Sequence, residues 1–350
     1  MKRPMSRVTR LTFTIVPVLI AMSAMGYWWL TTTVQRALAR PINVAHEVLF
    51  EIAPGQTITK ISRDLAARGW LTCALCLRLE ATRLDLATRI QAGTYAVIAT
   101  STPRSLLQDF VHGTVKQYQM TIVEGTGFRA LRAQLRRLPG VKSTLEHFRD
   151  DEIMTKIGAP DALPEGQFFP STYNYPHHTS DIELLARAYR LMQQQVLNDE
   201  WKDRNADLPY SNAYAALIMA SIVEKETAET TERPLIAGVF VRRLQAQMKL
   251  QTDPTVIYGL GSAFDGNLRR QDLLTDSPYN TYTRAGLPPT PIALPGLAAI
   301  RAALHPAPSD ALYFVARGDG THEFSATLDA HNAAVRRYQI EGQGNSHGAR

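Results

Sequence analysis

The sequence predicts an α+β protein in three parts: one N-terminal transmembrane helix, a small α+β module, and a larger, mostly helical domain with a few strands. Three observations carry this prediction. The stretch from Leu11 to Gln35 holds no charged residue. From Val48 to Val115, strand-like and helix-like patterns alternate in short segments. Beyond Gly125 helical periodicity dominates, broken by two long stretches rich in Pro, Thr, Asn and Tyr. The chain has 350 residues, 45% of them hydrophobic, enough for one large or two ordinary cores.

The uncharged stretch, residues 11–35, would span roughly 37 Å as a helix at about 1.5 Å per residue, sufficient to cross a bilayer. Lys2, Arg3, Arg7 and Arg10 precede it, so residues 1–10 are expected in the cytoplasm. Tyr27, Trp28 and Trp29 cluster near its far end, where amphipathic rings favour the interface. A cleaved signal peptide is the competing reading. The run is long for that, and no small-x-small site precedes a polar stretch. Either way the remainder is exported. The same arm explains the charge. Of the 38 basic residues, six (Lys2, Arg3, Arg7, Arg10, Arg36, Arg40) precede the first acidic residue, Glu47, and the rest balance the 32 acidic ones. The net +6 is therefore a property of the arm, and a nucleic-acid partner, which needs a basic stripe on the folded part, is excluded.

After a short connector over 37–46, residues 48–115 read as the small module. VLFEI suggests a strand, Pro54-Gly55 a turn, and Ile58, Ile61, Leu65 and Ala66 an amphipathic helix. A second helix runs to about Thr88, a strand covers AGTYAVIAT, and a short helix ends near Gly113. Cys73 and Cys76 are spaced C-x-x-C within an apolar helix. With no second pair for zinc, they read as two small buried residues, an export-side disulfide being the alternative.

Residues 116–340 form the larger domain. Helices are expected at 127–137, 143–156, 181–200, 211–227 and 231–247. LPEGQFFPSTYNYPHH between them reads as a shaped loop, and 251–298 as a long ordered loop of the kind that carries function. ALYFVARGDGTHEFS reads as two strands about a turn at Gly318–Gly320, followed by a helix from Leu328 to about Ile340. Residues 341–350 are expected to be disordered.

In the helix AYAALIMASIVEKET, apolar almost all round to Val223, Glu224 shares a face with Leu217, Ala220 and Ser221. A carboxyl group so placed is desolvated unless paired. Its pKa then rises, as a general acid requires. The plain alternative is an ion pair with Lys225, Arg233 or Arg243, or exposure at the helix end. Glu226 also has apolar neighbours, Ile222 and Val223, and spacing does not choose between the two. Gln251, Asp253, Tyr279, Asn280 and Tyr282 supply amides, a carboxylate and aromatic faces of the kind that suit sugars. Asp-Pro, Asn-Thr and Pro-Pro also favour turns, which is the competing explanation. His305, His322 and His331 lack metal spacing and read as structural or surface groups. The common zinc, serine-nucleophile and nucleotide motifs do not occur, so no metal and no cofactor is expected.

ASIVEKET, LQTDPTVIYG, SPYNTYTRAGLPPTPIALPG and LYFVARGDGTHEFSATLDAHN, with the earlier EGQFFPSTY and APGQTITKISRDLA, together resemble the endolytic murein transglycosylase (MltG-like) family in order and spacing over about 48–340. The resemblance implies a LysM-like module at 48–115 and a catalytic domain at 116–340. It implies an endolytic cut of the MurNAc–GlcNAc bond in nascent peptidoglycan that leaves a 1,6-anhydroMurNAc end and terminates strand elongation. It puts the acid on the first glutamate of the S-I-V-E-K-E-T motif, Glu224. It makes Gln251, Asp253, Tyr279, Asn280 and Tyr282 the substrate-binding candidates, and penicillin-binding proteins plausible partners. The expected location is the inner membrane, single-pass, with the catalytic domain periplasmic. Arg242-Arg243-Leu244, Pro170-Ser171-Thr172 and Thr290 depart from the family's usual residues, which touches the shape of the cleft. A hydrolase of the same bond and a non-catalytic glycan-binding scaffold are the alternatives. The assignment to Glu224 fails if a close arginine or lysine neutralises it, or if it faces no cavity.

Overall fold

The computed structural model describes residues 7–341, with side chains from residue 18 to residue 339 apart from residue 195. The outermost parts of the expected cytoplasmic segment (1–10) and tail (341–350) lie outside it. The chain divides into two units, residues 1–118 and 119–350, and each is described by itself.

The first unit runs α1 (Arg7–Ala39), β1 (Val48–Ile52), α2 (Ile58–Ala67), α3 (Ala74–Arg83), β2 (Gly93–Val97), α4 (Pro103–His112). β1 and β2 pair antiparallel with Phe50 opposite Tyr95 and Val48 opposite Val97. Alternation puts Phe50, Ile52, Tyr95 and Val97 into one core with Ile61, Leu65, Leu77 and Phe110. Phe110 stacks on Phe50 at 5.9 Å and meets the edge of Tyr95 at 4.7 Å. Caps fix the helix starts: Thr57 accepts from Lys60 N, and Thr102 and Ser105 form a capping box before Pro103. Cys73 and Cys76 are joined in a disulfide, against the expectation of two free thiols. Cys73 is the N-cap of α3, and the first turn brings the two Cα atoms to 5.3 Å, within bonding range.

The expected anchor falls on α1. The helix continues past residue 35, and Val34, Leu38 and the following Ile42 are buried in the core of this unit. Its earlier described part leaves large apolar side chains uncovered, from Val18 and Leu19 to Trp28, Trp29 and Leu30. Among the described residues no helix is long and apolar enough to cross a membrane.

The second unit begins with β3 (Gln117–Thr121), at the boundary, which pairs with β4 (Thr172–Pro176). Then come α5 (Phe128–Leu135), α6 (Asp150–Lys156), α7 (Asp181–Leu191), α8 (Asn198–Lys202), α9 (Ala213–Glu226), α10 (Arg233–Gln245), α11 (Asp253–Leu260), α12 (Arg270–Leu274), α13 (Leu297–Leu304), the hairpin β5 (Tyr313–Ala316) and β6 (His322–Ser325), and α14 (Leu328–Val335). α9, apolar almost all round up to Val223, is the axis: every residue from Ala216 to Val223 is buried. It packs against α10, α11 and α13. The hairpin closes one side, with α14 across it.

Three expectations are corrected here. The helix expected at 143–156 is interrupted, because Asp181, fully buried, accepts from Thr144 N at 2.7 Å, Leu145 N at 2.9 Å and Thr144 Oγ1 at 2.5 Å, and pins the chain there. The loop around Phe168–Pro176 contains β4, whose Tyr173 and Tyr175 point inward. The long loop 251–298 contains α11 and α12. α11 was announced by Pro254 in its first turn, a position that suits proline's fixed φ. We expect Asp181→Ala to lower stability by about 2–3 kcal/mol, since it strands buried backbone donors. Denaturant unfolding checks this, and a loss below about 0.5 kcal/mol would show that the anchoring is dispensable.

Candidate active site

Glu224 and Glu226 both stand in the last turn of α9, and their surroundings differ. The side chain of Glu224 is 5% exposed and both its oxygens are taken. Oε1 accepts from Arg233 Nη2 at 2.9 Å, and Oε2 accepts from the backbone N–H of Gly296 at 3.0 Å. Burial pushes its pKa up, and the Gly296 bond and the Arg233 charge oppose that. The group therefore ties α9 to the starts of α10 and α13. A Cβ at Gly296 would meet the carboxylate of Glu124, the half-exposed end of a side chain that can swing aside. This is the ion-pair alternative realised in the geometry, and burial still leaves the Glu224 carboxyl above its ordinary range.

Glu226 forms no ion pair among the described residues. Its Oε2 accepts from Thr252 Oγ1 at 2.7 Å. Burial pushes its pKa up most, Asp253 adds to the rise, and Thr252, His322 and Arg243 work against it. It lines a cavity of ≈ 510 Å³, an ordinary size for a ligand site. Three of the five expected sugar-binding residues, Gln251, Asp253 and Tyr282, line the same cavity. Tyr282 Oη donates to Asp253 Oδ1 at 2.5 Å, fixing both at the mouth. Gln251 holds φ +53°, a conformation uncommon outside glycine, and its N–H donates to Thr281 O.

The other two do not join them. Asn280 is 1% exposed. Its Nδ2 donates to Asp272 O, Leu273 O and Thr275 O, and its Oδ1 accepts from Tyr282 N, so its hydrogen-bonding capacity is spent on shaping the turn. Tyr279 bonds Thr290 Oγ1 and packs against Tyr258 at 4.9 Å. Asn280 nevertheless matters, because it sets the backbone that presents Tyr282.

Several lining residues escaped the sequence reading. Arg243, 7% exposed, donates to Leu250 O and Leu312 O at 2.7 Å and lies over the Tyr313 ring at 5.2 Å. It thereby ties the segment before Gln251 to the residue that leads into β5. His322 also lines the cavity. Glu232 holds it through both its backbone N–H and Nδ1, at 2.9 and 2.7 Å. His331 stacks on Tyr313 at 5.3 Å. The signal that could have found Arg243 and His322 is their place within segments already singled out; their partners, all more than five residues away, were invisible.

Because Asp253 raises the pKa of Glu226, Asp253→Asn should lower it. If Glu226 acts as an acid, the alkaline limb of the activity profile then moves to lower pH. A limb that stays or moves upward would remove Asp253 from the electrostatics of the site.

A helical α+β unit that presents a sheltered carboxyl to a cleft edged with amide and phenol groups has the equipment of a glycan-cleaving enzyme that works by proton transfer. The model of the YceG-like family matches residues 50–337, and the chain belongs to that family. The endolytic murein transglycosylase of Bacillus subtilis (strain 168) is 33% identical over 269 residues, covering 72% of this chain and 74% of that protein. The protein of the same name from Streptococcus pneumoniae (strain R6) is 27% identical over 350 residues, which cover 89% of this chain and 62% of that protein's length. The crystal structure of a yceG-like protein from Listeria monocytogenes superposes with a TM-score of 0.51 at 26% identity, covering 82% of this chain and 99% of that one.

Proposed function

We propose that the chain is a lytic transglycosylase that cuts peptidoglycan strands internally at the MurNAc–GlcNAc bond, with Glu226 as its acid and base. One observation carries this: Glu226 is the carboxyl that is sheltered, free of an ion pair, and set in the cavity shared by Gln251, Asp253 and Tyr282. Protonated Glu226 gives its proton to the glycosidic oxygen as the bond to C1 of the muramic acid breaks. The sugar's own C6 hydroxyl then attacks C1 and loses its proton to Glu226, closing a 1,6-anhydro ring. The internal nucleophile removes the need for a bound water, because its effective molarity is already high. Thr252 holds one oxygen of Glu226 and leaves the other for the sugar.

A second reading has its own observation. Asp253 lines the same cavity as Glu226, and two carboxyls across a glycosidic bond are the equipment of a hydrolase. Digestion of purified peptidoglycan, read by mass spectrometry, decides between them. Anhydro-ended fragments support the transglycosylase. Fragments heavier by one water would overturn it in favour of the hydrolase, and no fragments at all would leave only a binding role.

The uncharged stretch 11–35, the basic residues before it and the uncovered Val18–Leu30 face of α1 support membrane anchoring with the second unit on the outer side of the inner membrane. The β-α-α-β order of residues 48–97, with its strands antiparallel, supports a LysM-like module. Release of the growing strand by such a cut terminates its elongation, which would place the protein beside penicillin-binding synthases.

A further inference from the structure

α3 carries leucines on both of its sides. Cys76, Leu77, Glu80 and Ala81 face the core of the first unit. Leu75 and Leu79, one helical turn apart on the opposite face, are 58% and 44% exposed. Arg78 and Arg83 flank them on that face, and both are exposed. Leu84, the C-cap residue, is exposed too. Leucines framed by arginines on one outward helix face are the pattern of an interfacial segment. The apolar side chains enter the acyl boundary, and the guanidinium groups stay among headgroup phosphates.

Contacts within the unit set that face beside α1. Glu80, buried on α3, accepts from Arg83 Nε at 2.9 Å and from Arg104 Nη2 at 3.3 Å. Arg104, on α4, also donates to Gln35 of α1. α1 adds Val34 and Leu38 to the same core, so helix and module share a packed, ion-paired joint. Glu80 pushes the pKa of Arg83 up and the Tyr27 phenol adds to the rise, so the C-terminal end of α3 lies within electrostatic reach of Tyr27 on α1. Tyr27, Trp28 and Trp29 mark the end of the uncharged stretch, where aromatic rings sit at headgroup level. With α1 set in a bilayer, α3 comes to headgroup depth with its outward leucines uncovered.

We propose that the outward face of α3 is a membrane-contact surface, on which Leu75 and Leu79 dip into the leaflet around α1 while Arg78 and Arg83 bind the phosphates of anionic phospholipids. The inference rests on the membrane anchoring proposed above. Full-length protein in lipid nanodiscs is the system for the test. The photoreactive residue p-benzoylphenylalanine replaces Trp28, Leu75, Leu79 or Leu163, one at a time. Trp28 reports the anchor. Leu163, an exposed leucine of the second unit, reports chance collision. After illumination, adducts are read by mass spectrometry. The expected result is lipid adducts at Trp28, Leu75 and Leu79, all above the yield at Leu163. Exchanging anionic for zwitterionic lipid should lower the yields at Leu75 and Leu79 about fivefold, the worth of one arginine at an anionic surface, and leave Trp28 unchanged. Adducts at Trp28, with Leu75 and Leu79 no higher than Leu163, would overturn the surface and leave the anchor standing. No lipid adduct at Trp28 would sink the anchor, and the surface with it. Yields at Leu75 and Leu79 that ignore lipid charge would overturn the anionic headgroup as the partner. Protein–protein adducts there in place of lipid would overturn the surface in favour of a contact with a second copy.

Discussion

Glu226→Gln is expected to lower turnover on peptidoglycan by about 10²- to 10⁴-fold, the usual weight of a positioned acid and base, while the fold survives. Glutamine keeps the size of the side chain and can still accept from Thr252 Oγ1, which bonds the wild-type carboxylate at 2.7 Å, but it has no proton to give. The matched variant Glu224→Gln separates the two neighbours. Its amide can still accept from Gly296 N or Arg233, so turnover should stay within about tenfold while stability falls, by the weight of a charge-assisted bond replaced by a neutral one. The opposite pattern, with Glu226→Gln active and Glu224→Gln folded but inert, would restore Glu224 as the acid. The pH profile carries a second signature. The pKa of Glu226 is raised chiefly by burial, so the wild type keeps the acid form above the ordinary carboxylate range. Activity is lost as pH rises through that pKa, and no such limb should remain in the residual activity of Glu226→Gln.

The choice between the two glutamates shows where sequence reading stops. Both lie in one helical turn beside apolar neighbours, and periodicity correctly marked the helix leading into that turn, up to Val223, as buried. What separates them is the company each keeps. Arg233 is nine residues from Glu224 and Gly296 seventy-two, whereas Thr252 is twenty-six from Glu226. Contacts of that separation leave no local pattern. The same limit explains Asn280: its type suits sugars and turns alike, and only the three carbonyls it serves decide for the turn. By contrast α9, the β5–β6 hairpin and the strand-helix alternation of the first unit were legible, because local periodicity and turn residues specify them. The broken helix at 143–156 was not, since the Asp181 carboxylate that breaks it comes from α7.

Arg233→Met should cost about 3–5 kcal/mol at neutral pH, the price of leaving a buried carboxylate without its cation. The side chains of Arg233 and Glu224 are 7% and 5% exposed, so water screens the pair little. The sign of the pH dependence follows from the groups present. Arg233 holds the pKa of Glu224 down against burial. Removing it lets that pKa rise further above its unfolded value. Stability is then fully present where Glu224 is protonated and is lost as pH rises through the elevated pKa. The deficit of Arg233→Met relative to wild type should therefore shrink at about pH 5 and grow at about pH 8, read from denaturant unfolding at each pH. Adding Glu224→Gln to Arg233→Met removes the stranded charge and should recover part of the loss, a coupling of about 1–3 kcal/mol in a double-mutant cycle. Additive losses with no pH trend would mean that the pair does not act as an electrostatic unit, and the reason for setting Glu224 aside as the acid would fall.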